Sequence, residues 1–321
     1  MVLLKRLNFF ILLLCFINST FSGCVYTNKE IASETELPTI ESPNTKTSNI
    51  KSPDTQISNS KGRLKKENHN IVYSNIGDAA KAYPGLVFIH GKPYKKQVAL
   101  TFDDGPDNCY TPQILDLLNL EKVKATFFVV GEQVKENPMV MKRIVSEGHF
   151  IGNHTWAHPY LPNLTIDDAK SEVQRTEDEI AQYTGYQTTM FRPPYGVITS
   201  DIVNTLSGLN YKIIEWSSDS IDWRGYKKDQ VKSNILNDTK AGAIILQHCA
   251  GAGKLEGTVQ ALPLVIETLK KEGYTFVTVP ELLGLPGEKT SEAGLAPMQV
   301  ELDVQQLLRH YHSRPLASDI N

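Results

Sequence analysis

From Gln97 onward, short runs of β-branched and aromatic residues alternate with longer stretches in which apolar positions recur every three or four residues. Runs of the first kind read as strands and stretches of the second as amphipathic helices. Strands are predicted at Val98–Phe102, Ala125–Val130, Phe150–Gly152, Thr189–Phe191, Lys212–Trp216, Ala243–Gln247 and Thr275–Val279. Thr111-Pro112 and Asn137-Pro138 have the form of a cap followed by a first-turn proline, and Gly148 and Gly273 that of helix stops. The longest predicted helix runs from Ile166 to Thr184. Thr165 caps it, Asp168 sits in its first turn, Gly185 closes it, and Ile166, Ala169, Val173, Ile180 and Tyr183 form its buried stripe. Strand and helix in alternation predict an α/β fold with a largely parallel sheet. About seven β/α units are too few for a regular eight-stranded barrel and enough for a smaller, distorted (β/α) barrel, a class whose chemistry sits at the C-terminal ends of the strands.

The pattern before Gln97 differs. Lys5 and Arg6 precede an apolar run from Leu7 to Ile17, and small residues then lead to Cys24. This has the form of a secretory signal over residues 1–23. Ser22-Gly23-Cys24 resembles the cleavage box of bacterial lipoproteins, in which the cysteine is lipidated, although Phe21 stands where that box usually has Leu. An ordinary signal peptide with an incidental cysteine is the alternative. Either form exports the mature chain, and the first anchors it to the cell membrane. Residues 24–75 are rich in Ser, Thr, Asn, Lys, Glu and Pro and read as a disordered linker, followed by a lead-in segment over 76–96. The catalytic domain is expected over 97–285, with a tail of unassigned role over 286–321.

With 321 residues, 40% of them hydrophobic and 21% charged, the chain can bury one sizeable core. A net charge of -3 gives no reason to expect a nucleic-acid partner, and a monomer is expected. Function must then come from a site. Cys15 falls in the targeting segment and Cys24 is the candidate lipid site, which leaves Cys109 and Cys249 as a pair that could bridge.

Five clusters of reactive residues each follow a predicted strand. Thr101-Phe102-Asp103-Asp104-Gly105-Pro106 puts two adjacent carboxylates at a strand end; neighbours on a strand point to opposite faces, so one can bind a cation while the other faces a substrate. The bland alternative is a polar turn. His154 and His158, four residues apart, would share one side of a helical turn that Pro159 ends. Two imidazoles and one carboxylate form an open zinc site with a position left for water, while a pair of surface histidines is the competing reading. Arg192-Pro193-Pro194-Tyr195-Gly196 sets a guanidinium before a rigid Pro-Pro. Asp219-Ser220-Ile221-Asp222-Trp223 and Leu246-Gln247-His248 complete the set.

The five clusters, in this order, resemble the polysaccharide deacetylases of carbohydrate esterase family four, the nodulation-type chitooligosaccharide deacetylase homology domain. The resemblance covers Gln97 to Leu283, about 60% of the chain. It implies that Asp104, His154 and His158 bind a divalent metal, zinc first, with cobalt or nickel as alternatives. It also implies that Asp103 is the general base, that the Tyr195 amide helps to hold the oxyanion, and that His248 is the general acid. Asp222 would orient His248, Arg192 would hold Asp103, and Trp223 and Leu246 would wall the acetyl pocket. Cys109 and Cys249 would come to one rim of the site, either as a disulfide or as two separate thiols. The implied activity is hydrolysis of N-acetyl groups of a cell-wall polysaccharide, peptidoglycan first. The alternatives are chitooligosaccharide N-deacetylation, O-acetyl xylan esterase activity on the same fold, and a non-enzymatic, lipid-anchored polysaccharide-binding module. A serine hydrolase is disfavoured, because the chain contains no Gly-x-Ser-x-Gly elbow.

Overall fold

A computed structural model describes residues 70–251 and 253–289. The expected signal segment, the candidate lipidation site Cys24 and the C-terminal tail from residue 290 onward lie outside the described residues. In chain order the elements are β1 (Val72–Tyr73), α1 (Ile76–Ala82), β2 (Val87–Phe88), β3 (Gln97–Asp103), α2 (Tyr110–Glu121), β4 (Thr126–Val129), α3 (Gly131–Glu136), α4 (Pro138–Ser146) and β5 (Phe150–Asn153). There follow α5 (Ile166–Thr184), β6 (Met190–Phe191), β7 (Ile198–Thr199), α6 (Ser200–Gly208), β8 (Lys212–Ile214), β9 (Ser218–Asp219), α7 (Lys228–Asp238), β10 (Ile244–His248), α8 (Glu256–Lys271), β11 (Thr275–Phe276) and α9 (Val279–Leu283).

The main sheet has the order β2-β8-β6-β5-β4-β3-β10-β9, with β11 beside β3. Every pairing in it is parallel. Helices pack on its convex side, so the sheet curls into an α/β half-barrel, the distorted barrel that the β/α alternation predicts. Because all strands run the same way, all of their C-terminal ends meet at one rim.

Period-two alternation sorts each strand between two cores. On β3, Val98, Leu100 and Phe102 join the layer shared with α2, α4 and α8. Ala99 instead faces the barrel interior with Phe128, Met190, Ile214 and Ile244. Thr101 and Asp103 share the parity of Ala99, Arg192 that of Met190, and Leu246 and His248 that of Ile244. The polar inward residues therefore sit above an apolar barrel floor.

All seven predicted strands are present: β3 and β5 run longer than expected, β10 is shifted by one residue, and the other four are shorter. Thr275–Val279 keeps only two strand residues, because Thr278 caps α9 through a capping box with Glu281. Two further sheet strands, β2 and β9, were not predicted; each has only two residues, too short for any periodicity to register. β1 falls inside the span read as linker and pairs antiparallel with β7. Thr165 caps α5, and Gly185 ends it in the left-handed conformation, as expected.

Helix α2 starts one residue before the Thr111 of the expected Thr-Pro signature. The Asp107 carboxylate takes the amides of Cys109, Tyr110 and Thr111, which leaves the Thr111 hydroxyl to donate to the Cys249 carbonyl at 3.0 Å. No helix among the described residues is long and apolar enough to cross a membrane.

Candidate functional site

The rim brings together Asp103, Asp104, His154, His158, Arg192, Asp222 and His248. Asp103 is the last residue of β3, and His248, the last of β10, is its register partner. Arg192 follows β6, and Asp222 lies on a 3-10 turn that begins three residues after β9.

The two aspartates do not point to opposite faces, as strand alternation alone predicts. Asp104 has a φ of 71°, which leaves the strand conformation and turns its carboxylate into the cleft beside that of Asp103. The two histidines likewise converge without a helical turn. Thr155 and His158 are both left-handed, at φ 69° and 55°, and the intervening loop is irregular. Asn153 Oδ1 accepts the Thr155 amide, and Glu172 Oε2 on α5 accepts the amides of Trp156 and Ala157, so the loop is pinned from below.

Asp104 Oδ1 lies 3.3 Å from His158 Nε2 and 3.5 Å from His154 Nε2. It is buried and accepts no hydrogen bond among the described residues. One ligand atom from each of the three side chains lies within 4.8 Å of the others. Zinc with ligands at about 2.0–2.2 Å in a tetrahedron holds neighbouring donor atoms about 3.3–3.6 Å apart. An orphaned buried oxygen facing two imidazole nitrogens at that spacing fits such an ion. His154 Nδ1 lies 2.7 Å from the Arg192 carbonyl, which can only accept. The proton is therefore on Nδ1, and the Nε2 lone pair faces Asp104. Burial works against ionisation of Asp104, but its contact with His154 and the positive field of His248 hold the carboxyl down at about 2. Burial, followed by the neighbouring His154, pushes His158 down to about 4, which keeps a neutral imidazole available as a ligand. Gly251, at φ 95°, lets the chain pass over Asp104, since a Cβ there would come within 2.6 Å of Oδ2.

Arg192 is fully buried. Its guanidinium donates to Asp103 Oδ1 at 2.7 Å, Thr101 Oγ1 at 2.8 Å, and the carbonyls of Ile214 and Glu215 at 3.0 and 3.1 Å. It also stacks on Phe128, 4.1 Å from the ring centroid. Asp103 Oδ2 faces His154 Nε2 at 3.8 Å.

On the other side, Asp222 Oδ1 meets His248 Nδ1 at 2.6 Å, while Oδ2 accepts the His248 amide at 2.9 Å and the Thr258 hydroxyl at 2.7 Å. Burial opposes a charge on His248, but the Asp222 carboxylate outweighs it and lifts the imidazole to about 10. With Nδ1 committed to Asp222, the second ring proton is carried on Nε2.

Tyr195 is at φ 61° and follows two prolines that have no N–H, so it carries the first amide of its loop. Its ring is exposed and lies 4.7 Å from that of His158. Leu246 is buried on β10, and Trp223 is half-exposed beside Asp222.

The Cys109–Cys249 bridge is not made. Cys249 is a buried free thiol. Its Sγ turns inward, donates to the Asp103 carbonyl at 3.4 Å and occupies the space that a Cβ on Gly105 would need.

Four supporting residues are not singled out from the sequence. Thr101 could have been found by parity, two residues before Asp103. Glu172, Glu215 and Thr258 reach the site from outside the five clusters, and only the fold places them there.

A family-level profile described as polysaccharide deacetylase matches residues 90–214. A peptidoglycan-N-acetylglucosamine deacetylase of Bacillus cereus is 42% identical over 198 residues, 61% of this chain and 72% of that protein. The chain belongs to the polysaccharide deacetylase family. It is thus a hydrolase acting on the amide bonds of acetyl groups. Among other members, the peptidoglycan-N-acetylmuramic acid deacetylase PdaA of Bacillus subtilis is 35% identical over 64% of this chain and 80% of its own length. The crystal structure of the Bc1960 peptidoglycan N-acetylglucosamine deacetylase, in complex with 4-naphthalen-1-yl-N-oxidanyl-benzamide, superposes with a TM-score of 0.62. That match has 41% identity and covers 63% of this chain and 94% of the other.

Proposed function

We propose that this deacetylase removes N-acetyl groups from the amino sugars of peptidoglycan, in a metal-dependent reaction, as an exported enzyme held to the cell membrane by a lipid on Cys24. The convergence of Asp104, His154 and His158 on one point beside Asp103 carries the chemical part of this reading. The names of the two relatives described above, a peptidoglycan-N-acetylglucosamine and a peptidoglycan-N-acetylmuramic acid deacetylase, support the substrate. The apolar run ending at Ser22-Gly23-Cys24 supports the location.

In this reading Asp104, His154 and His158 hold the cation. A divalent ion there supplies Lewis acidity, acidifying water and polarising an amide carbonyl. Asp103, fixed in direction by Arg192, takes the proton from the attacking water. The Tyr195 amide donates to the developing oxyanion. His248 gives its Nε2 proton to the departing nitrogen, which lets the sugar leave as an amine, and Asp222 stabilises the positive imidazole that makes this donor. Leu246 and Trp223 bound the space for the acetyl methyl.

The test is acetate release from purified N-acetylated peptidoglycan and from acetylated xylan, with wild type and Asp103→Asn, after metal stripping and after reloading with zinc, cobalt or nickel. We expect turnover on peptidoglycan and not on xylan, lost on stripping and restored on reloading. Asp103→Asn should retain the bound metal while its turnover falls by a factor of about 10²–10⁴. Activity on xylan alone would overturn the substrate, and undiminished activity of the stripped chain would overturn the mechanism.

A further inference from the structure

Burying an aromatic ring removes roughly 150–250 Å² from water, so aromatic rings left exposed beside a catalytic centre point to a ligand. Three large aromatic side chains at this rim are exposed: Tyr160 at 43%, Tyr195 at 62% and Trp223 at 48%. Tyr160 belongs to none of the five sequence clusters and has no part in the mechanism above. It follows His158-Pro159 directly, in extended conformation (φ -73°, ψ 99°), at the start of the 3-10 turn Leu161–Asn163. Its ring centroid lies 6.2 Å from that of Tyr195, inclined at 53°. Tyr195 in turn sits 4.7 Å from the ring of His158, at 65°. The rings of His158, Tyr195 and Tyr160 thus form a continuous series that leads outward from the candidate metal centre.

A polymeric substrate whose acetamide reaches that centre must lay its neighbouring sugars across the rim. The faces of a pyranose ring present C–H groups, and these pack against an aromatic face. The phenol hydroxyls leave the edges of the platform wet, which suits a ligand ringed with hydroxyls. We propose that Tyr160 is a glycan-binding residue that forms, with Tyr195, a platform on which a sugar neighbouring the one being deacetylated stacks. The inference rests on the reading of the enzyme as a deacetylase of N-acetylated glycans and adds to it a subsite outside the reacting sugar.

Acetate release by the metal-loaded full chain is measured on β-1,4-linked N-acetylglucosamine oligomers from disaccharide to hexasaccharide, for wild type, Tyr160→Ala and Tyr160→Phe. Tyr160→Ala should leave the shortest oligomer that turns over unaffected. On the longer ones it should lose about tenfold in kcat/KM, carried by KM with kcat preserved. Tyr160→Phe should behave as wild type, because it keeps the ring. Equal loss at every length, no loss at any length, or a Phe variant as weak as the Ala variant would each overturn the proposal. A wild-type chain silent on every N-acetylated glycan would overturn the functional reading itself, and this subsite with it.

Discussion

At the scale of single residues, Glu215 is the group whose chemistry the sequence conceals most completely. It lies within the predicted strand Lys212–Trp216, where a carboxylate looks like a solvated position. In the structure it is fully buried, and neither side-chain oxygen has a hydrogen-bond partner among the described residues. Burial, against the pull of Arg192 and with the push of Asp103, raises its carboxyl to about 8. The unfolded chain ionises this group near its ordinary value of 4.5, while the folded chain keeps the proton until about pH 8. The folded state therefore holds more protons throughout that window, and stability falls as pH rises through it. Glu215→Gln removes the titration and keeps the shape. The variant should match wild type near pH 4.5 and exceed it at pH 8, by on the order of 3–5 kcal/mol if the whole difference is expressed. Urea melts of both proteins across this range measure it, and parallel pH trends would contradict the account. The convergence of Asp103, Asp104, His154, His158, Arg192, Asp222 and His248 on one rim was legible, because all of them stand at or just beyond strand ends. Their orientation was not, since the positive φ of Asp104, Thr155 and His158 is uncommon for any residue but glycine and has no local pattern that announces it.

At the scale of elements, long periodic segments could be read from the sequence and two-residue strands could not. Helix α5 follows its caps and its stripe, whereas β2 and β9 exist only because neighbouring strands offer them a ladder. Gly152 on β5 shows how a strand can carry more information than its pattern. It was read as the end of an apolar run, yet it lies flat against Phe128 of the adjacent strand, and a Cβ there would fall 2.4 Å from the ring. Phe128 also forms the face on which Arg192 stacks. Gly152→Ala should cost about 1–3 kcal/mol through overpacking, and it should lower kcat as well, since the displaced ring supports the guanidinium that aims Asp103. Denaturant unfolding together with acetate release tests both effects. A variant of wild-type stability with impaired turnover would disprove the packing argument.

At the scale of the whole molecule, the candidate metal ligands come from the residue just after β3 and from the loop after β5, segments about fifty residues apart in the chain. An ion held by both would bind the folded state and not the unfolded one. With zinc at a thousandfold excess over its dissociation constant, the folded state should gain about 4 kcal/mol. Calorimetry of stripped and reloaded protein should show the melting temperature rise by several degrees on reloading, and to a smaller extent for His158→Ala. Identical melting temperatures with and without zinc would count against the site. Arg192 adds a consequence of its own. Its carbonyl grips one of those ligands while its side chain grips the neighbouring aspartate, so the two opposite ends of one residue are clamped to the two halves of the reaction centre. Any displacement of strand β6 would therefore pull on both sides of the cleft together, since a single residue is the tie between them.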